Sequence, residues 1–216
     1  IRPSYNRMSG NILYESAMNG NIYTTTATDK EYAMQTIGVS GRVSKSFGWA
    51  KTLVGIGASH NITDYSMLVS GIVNDARMNT TAVSFNYSLR PARFLSVEGK
   101  SNVNIYKQKN LTAPELSSAP TTDWEHLLKL YVFPAKGWML SVKNELFHTN
   151  DKSIGINHFL DLAIAYKAKR WEFSVTANNL IGTSEFERRT LGNTIESYSV
   201  TRLRPREFLT KWSVDL

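Results

Sequence analysis

Residues 207–216 alternate almost without error. Phe208, Thr210, Trp212, Val214 and Leu216 fall on one parity, and Glu207, Leu209, Lys211, Ser213 and Asp215 on the other. A period of two places successive side chains on opposite faces of a sheet, which a helix of 3.6 residues per turn cannot do. One face suits lipid or a core, and the other suits water. The pattern recurs over 82–89, 94–106, 138–148, 159–167 and 172–178. Within 94–106, for example, Leu95, Val97, Val103 and Ile105 oppose Ser96, Glu98, Lys100, Asn102 and Asn104. A sheet buried on both faces could not hold so many charges, so one face meets water. The rhythm predicts an all-β fold: an antiparallel transmembrane β-barrel wall of about ten or eleven strands, one region spanning 1–216.

The connections between these strands fall into two classes. Short, basic ones are often followed by an aromatic: Phe47-Gly48-Trp49-Ala50, Arg90-Pro91-Ala92-Arg93-Phe94, Pro134-Ala135-Lys136-Gly137-Trp138 and Lys167-Ala168-Lys169-Arg170-Trp171. Longer ones, rich in Asn, Thr, Asp and Ser, are expected at 74–79, 107–122 and 149–157, with a further tip at Gly192-Asn193-Thr194. Short turns on one rim and long loops on the other are the asymmetry of an outer-membrane barrel. Trp49, Trp138 and Trp171 then form an aromatic girdle at the short-turn rim. Before Tyr32 the pattern is weaker, although Asn19-Gly20 between Tyr14 and Tyr23 is a hairpin signal and 32–46 reads as a strand. The stretches 51–72 and 195–216 read as single tilted strands, the second interrupted at Arg204-Pro205-Arg206, because proline cannot donate to a ladder. A turn there would carry the chain to the other rim.

Composition removes several classes. The 216 residues hold no run of ~18 apolar residues, so no membrane-spanning helix is expected. With 42% hydrophobic and 20% charged residues the chain is not of a disordered type. It contains no cysteine, which excludes a disulfide framework and thiolate metal sites. The net charge of +7 is scattered over the turns and forms no stripe, so nucleic acid is not an expected partner. Residues 1–10 lack a basic start followed by an apolar stretch, so a signal peptide has been removed or the chain continues a longer one.

Chemical motifs are absent. There is no nucleophile elbow, phosphate-binding loop, dinucleotide fingerprint or paired-histidine zinc helix, so no catalytic residue, metal ligand or cofactor is expected. The histidines are His60, His126, His148 and His158. His148 and His158 bracket a loop containing Asp151, where a metal or ligand contact is conceivable, against the plainer reading of strand-end histidines. Asn61, Asn79, Asn86 and Asn110 open glycosylation-type triplets, a pattern frequent by chance in Asn/Thr-rich strands. Glu98, Lys100, Lys143, Glu145 and Asp161 lie on the polar parity, as candidates to line a ligand path, hydrate a lumen or hold a plug. Leu89-Arg90-Pro91-Ala92-Arg93-Phe94-Leu95 and Leu203-Arg204-Pro205-Arg206-Glu207-Phe208-Leu209 echo each other, most simply through similar chemistry at strand starts.

The stretch from Trp171 through Asn178-Asn179-Leu180-Ile181-Gly182, followed by Leu203-Arg204-Pro205-Arg206-Glu207-Phe208-Leu209 and a closing alternating strand, resembles the C-terminal end of TonB-dependent outer-membrane receptors. The Leu-Arg-Pro-Arg form is most similar to the branch with a carboxypeptidase-regulatory-like N-terminal domain. Ile181 stands where Phe is usual in the family, and Leu216 ends the chain where Phe is commoner. The specific motifs cover roughly the last fifth of the chain.

The resemblance implies the C-terminal half of a 22-stranded barrel in the bacterial cell outer membrane, importing a scarce siderophore, glycan, peptide or vitamin. Its motif and barrel-closing residues are Asn178, Asn179, Leu180, Arg204, Pro205, Arg206, Trp212 and Leu216. The implied partners are outer-membrane lipid, the remaining strands and plug of the same receptor, the TonB system through the N-terminal part, and a surface lipoprotein. No plug or TonB box is recognisable within these residues. A plug-less structural or assembly barrel, and a soluble secreted β-sandwich or adhesin, are the competing expectations.

Overall fold

A computed structural model describes residues 1–19, 22–48, 51–69, 71–191 and 196–214. The fold is all-β, with one large antiparallel sheet. Its strands are β1 (Arg2–Asn19), β2 (Ile22–Phe47), β3 (Thr52–Val69), β4 (Ile72–Ala92), β5 (Leu95–Asn110), β6 (Thr121–Val132), β7 (Trp138–Thr149), β8 (Asn157–Lys167), β9 (Trp171–Asn178), β10 (Glu185–Leu191), β11 (Glu196–Arg202) and β12 (Glu207–Val214). Strands β1 to β9 pair in sequence order, β12 pairs with β9, and β10–β11 form a separate hairpin. Ten strands therefore make the wall, with β1 and β12 at its edges. Among the described residues no helix is long and apolar enough to cross a membrane, which leaves crossing by strands open.

Directly opposed residues of an antiparallel pair share a face, so the ladders carry face identity from strand to strand. Trp212 opposes Phe173, Phe173 opposes Tyr166, and Tyr166 opposes Trp138. Leu95, Val132, Leu140 and Ile164 form the next row on that face, and Ile37, Ile62 and Asn79 lie further along it. The opposite face carries rows such as Arg42, Gly57, Ser84, Asn102, Glu125, Phe147 and Asn157.

Among the described residues nothing covers the apolar face. The hydrophobic side chains buried among the described residues are Leu13, Leu68, Ala76 and Ile154, while Phe208 is 70% and Trp212 73% exposed. A water-soluble sheet of this size packs its apolar face on a second layer. Here the second sheet is the β10–β11 hairpin, and it lies on the polar face: Phe186 of β10 meets Phe147 at 5.5 Å and Phe159 at 6.3 Å.

The register is staggered. A row through Leu53, Ser88, Glu98, Lys129, Lys143 and Asp161 starts one residue from the end of β3 at Thr52 and finishes six from the end of β8 at Lys167. At ~3.3 Å per residue and ~4.8 Å between strands, this corresponds to a strand tilt of roughly 35°, within the range of closed barrels.

Several expectations need correction. The large sheet holds ten strands, within the expected ten or eleven, and among the described residues the β10–β11 hairpin adds two that the count did not foresee. Residues 74–79 are not a loop but lie inside β4, paired with β3 throughout and with β5 from Ala76 onward, and Gly71, just before the strand, has φ +75°. Ala76 is fully buried there, so ladder pairing overrides a turn-like composition. The stretch 195–216 is not one strand: it breaks between Arg202 and Glu207, and β11 and β12 belong to different sheets. The Arg-Pro echo joins opposite rims. Its first copy spans the β4–β5 turn, with a register shift between Leu89 and Ala92, and its second starts β12 on the loop rim. The reading of 51–72 as one strand corresponds to β3, which ends at Val69, and the four basic connections all lie on one rim.

Candidate functional site

The polar face carries the chemistry. Glu98, Lys129, Lys143 and Asp161 oppose one another in a single row, so two like charges sit side by side between two carboxylates. Lys129 and Lys143 would repel if unscreened, but Lys143 lies 2.7 Å from Glu145 and 3.9 Å from Asp161. Lys100 and Glu145 occupy the adjacent row with Asn86, Leu127 and Phe159. All five residues selected from the sequence for this role, Glu98, Lys100, Lys143, Glu145 and Asp161, thus share one face. They divide into two neighbourhoods: Glu98 and Lys100 help line a concavity of about 430 Å³ with Arg42 and Lys129, whereas Lys143 and Asp161 line another of about 250 Å³.

The motif residues meet at the top of β9. Asn179 adopts φ +53°; its N–H donates to Asp161 Oδ1 at 2.8 Å, and its amide donates to the Thr183 and Arg204 carbonyls. Arg206 closes the other side by donating from Nε to the Leu180 carbonyl at 2.8 Å and from Nη2 to that of Ile181 at 3.3 Å. Asn178 donates to Glu207, and Arg204 lies 3.6 Å from the same carboxylate. Two segments 25 residues apart therefore form one clasp that returns the chain from the hairpin to β12. Gly182, at φ +83°, belongs to it, because a Cβ there would sit 3.1 Å from Arg206 Nε. Trp212 lies at the opposite end of β12 on the apolar face, and Leu216 lies outside the described residues.

Sequence reasoning missed the third feature, a cleft between the inward hairpin and the wall. It measures about 280 Å³ and is lined by Tyr106, Asp123, Glu125, Phe147, Phe186 and Arg188, among others. A second recess of about 270 Å³ shares Tyr106, Asp123, Arg188 and Arg189 with it. The loop 150–156 clamps the hairpin: Arg189 donates to Asp151, the Gly155 N–H donates to Glu187, and Asn157 donates to the Glu187 carbonyl. The Ser153 hydroxyl and N–H, with Arg189 beside them, pull the Asp151 carboxyl down to about 2. The available signal was the alternation in Glu185-Phe186-Glu187, too short to separate from loop.

Asp151 turns to Arg189, while His148 and His158 sit on the apolar face, stacked on Trp124 and bonded to Asn144 respectively, so the structure does not assemble them into a site. Among the described residues no group of three or more His, Asp or Glu could hold a metal. All four asparagines of the glycosylation-type triplets lie in strands, with Asn110 only 2% exposed. Trp138 and Trp171 both pack on Tyr166, at 4.8 and 5.1 Å, on the short-turn rim; Trp49 lies outside the described residues, as does the 192–194 tip. Comparison with family models, curated proteins and solved structures finds no match.

Proposed function

We propose that this chain is barrel wall of an outer-membrane transport protein, and that it serves a TonB-dependent importer. The observation that carries the reading is the uncovered apolar face of a ten-stranded, single-layer antiparallel sheet whose other face is charged. On β6 to β9 that apolar face carries no charged residue: Val132, Leu130 and Leu128 lead to His126; Leu140 and Val142 to Leu146; Ile164 and Leu162 to Leu160; and Phe173 and Val175 to Ala177. Strands of 8 to 12 residues in this half suit a tilted bilayer crossing of about 9–11 residues.

Lipid is the solvent that accepts such a face, and in lipid the free edges of β1 and β12 must find partners. Further strands of the same receptor supply them in the importer reading. The Glu98–Lys129–Lys143–Asp161 row then faces a water-filled lumen or its plug. The inward hairpin lies at the ligand-capturing end, since long loops are extracellular in such barrels. No residue is assigned covalent chemistry. The plug-less barrel shares every one of these features except the plug; a soluble sandwich is disfavoured by the lack of an apposed sheet on the apolar face.

The test is electrophoretic and cellular. The unboiled protein in mild detergent should run faster than the boiled protein, and a monodisperse preparation without detergent would contradict a membrane wall. Ligand uptake that stops when TonB is removed supports the importer, and uptake that persists selects the plug-less pore.

A further inference from the structure

All four histidines of this chain lie on the apolar face. His60 opposes Val39 and Thr81, His126 opposes Ser101 and Leu146, His158 opposes Leu146, and His148 opposes Trp124. Imidazoles scattered at random would divide between the faces and along the strands. These instead sit eight residues up from Thr52 on β3, six from Val132 on β6, ten from Trp138 on β7 and nine from Lys167 on β8. With the ~35° tilt this places them roughly 16–27 Å above the short-turn rim, against an apolar band about 25 Å tall in outer-membrane barrels. The aromatic cluster of Trp138, Tyr166 and Trp171 marks the lower limit of the same band.

Above the level of His60, on β1 to β5, the face turns basic. Arg7, Gln35, Asp64, Arg77 and Lys109 oppose one another in one row, three cations to one carboxylate, with Lys107 beside Asn79 one row nearer the band. Asp64 is held by Arg77 through two bonds of 2.6 and 2.9 Å, so its charge is already matched. Each histidine is also steadied on the sheet: His60 by the Thr81 hydroxyl at 2.8 Å, His126 by the Ser101 hydroxyl at 3.0 Å, His158 by the Asn144 amide at 2.7 Å, and His148 by stacking on Trp124 at 5.2 Å. Each of those three hydrogen bonds uses one ring nitrogen, and an imidazole has two.

We propose that the histidine line, with the basic row above it, is the belt at which the outer leaflet presents its phosphorylated lipid headgroups. The inference rests on the membrane reading of the apolar face and adds the level of the bilayer surface and the chemistry that meets it. Steadied imidazoles at the apolar boundary offer N–H donors to headgroup phosphate, and Arg7, Lys107 and Lys109 supply the opposite charge.

Depth measurements on the full parent protein in lipid vesicles test this. Nitroxides are attached singly through His60→Cys, His126→Cys, His148→Cys, His158→Cys, Val142→Cys and Leu162→Cys. The last two oppose each other mid-band on the same face, four residues from Trp138 and five from Lys167. A headgroup-anchored paramagnetic chelate should relax the four histidine-site labels strongly and the two mid-band labels weakly. A second measurement compares lipid retained around the protein from mixtures of phosphorylated and phosphate-free headgroups. The quadruple His→Gln variant should lose about fivefold of the preference for phosphorylated lipid, the scale of losing one net headgroup contact. Histidine-site labels as deep as Leu162, or an unchanged lipid preference, would overturn the belt while leaving the membrane wall intact. Water-exposed labels at both Val142 and Leu162 would overturn the membrane reading itself, and the belt with it.

Discussion

Single residues test the proposal that one face meets lipid. Leu162 and Ala163 are neighbours on β8 that point to opposite faces. Leu162→Arg should cost roughly 2–4 kcal/mol of folding free energy in a bilayer, and Ala163→Arg a small fraction of that. Val214 opposes Trp171 at the rim, so Val214→Arg should cost only about 0–1 kcal/mol. Urea unfolding in vesicles measures all three, and equal costs at Leu162 and Ala163 would refute the facing. In the clasp, Arg206→Ala strips two exposed carbonyls of their donor and should cost about 0.5–1.5 kcal/mol, with Gly182→Ala weakening the same contacts. The Asp151–Arg189 clamp gives a pH signature. Its carboxyl is held at about 2 against an ordinary 3.8, so its contribution is complete above about pH 4 and fades as pH falls from there toward 2. Amide exchange of β10 should rise across that window in the native protein and remain flat in Asp151→Asn.

The elements differ in how far the sequence alone discloses them. Strands β7, β8, β9 and β12 are plain in it because one face is apolar and the other polar, which writes a period of two into residues such as Leu160, Leu162 and Ile164. The upper half of β4 is not. Asn74 and Asp75 have turn-like chemistry and are held extended by the β3 ladder, and Asn79 and Thr80 by ladders on both sides, information carried by β3 and β5. The five charged candidates were legible as a shared face, since parity alone fixes that. The cleft was not, because Phe186 reaches Phe147 and Phe159 only after the clasp directs the hairpin inward. Undocking should therefore be local: Phe186→Ala should increase proteolysis within 185–202 while leaving the heat-modifiable mobility of the wall unchanged.

At the scale of the molecule, an exposed apolar face and a charged face lie on opposite sides of one sheet. Ten strands in sequence order, tilted by roughly 35°, form in the proposed reading a wall with lipid outside and further strands beside it. The chain contains no cysteine, so single cysteines can be introduced along 160–167 against a silent background. In detergent-free native membranes, a water-soluble maleimide should label Asp161→Cys, Ala163→Cys and Ala165→Cys, and a lipid-soluble reagent should label Leu160→Cys, Leu162→Cys and Ile164→Cys. Labelling that alternates in this sense is the predicted result. Water-soluble reagent reaching both sets equally would contradict the account.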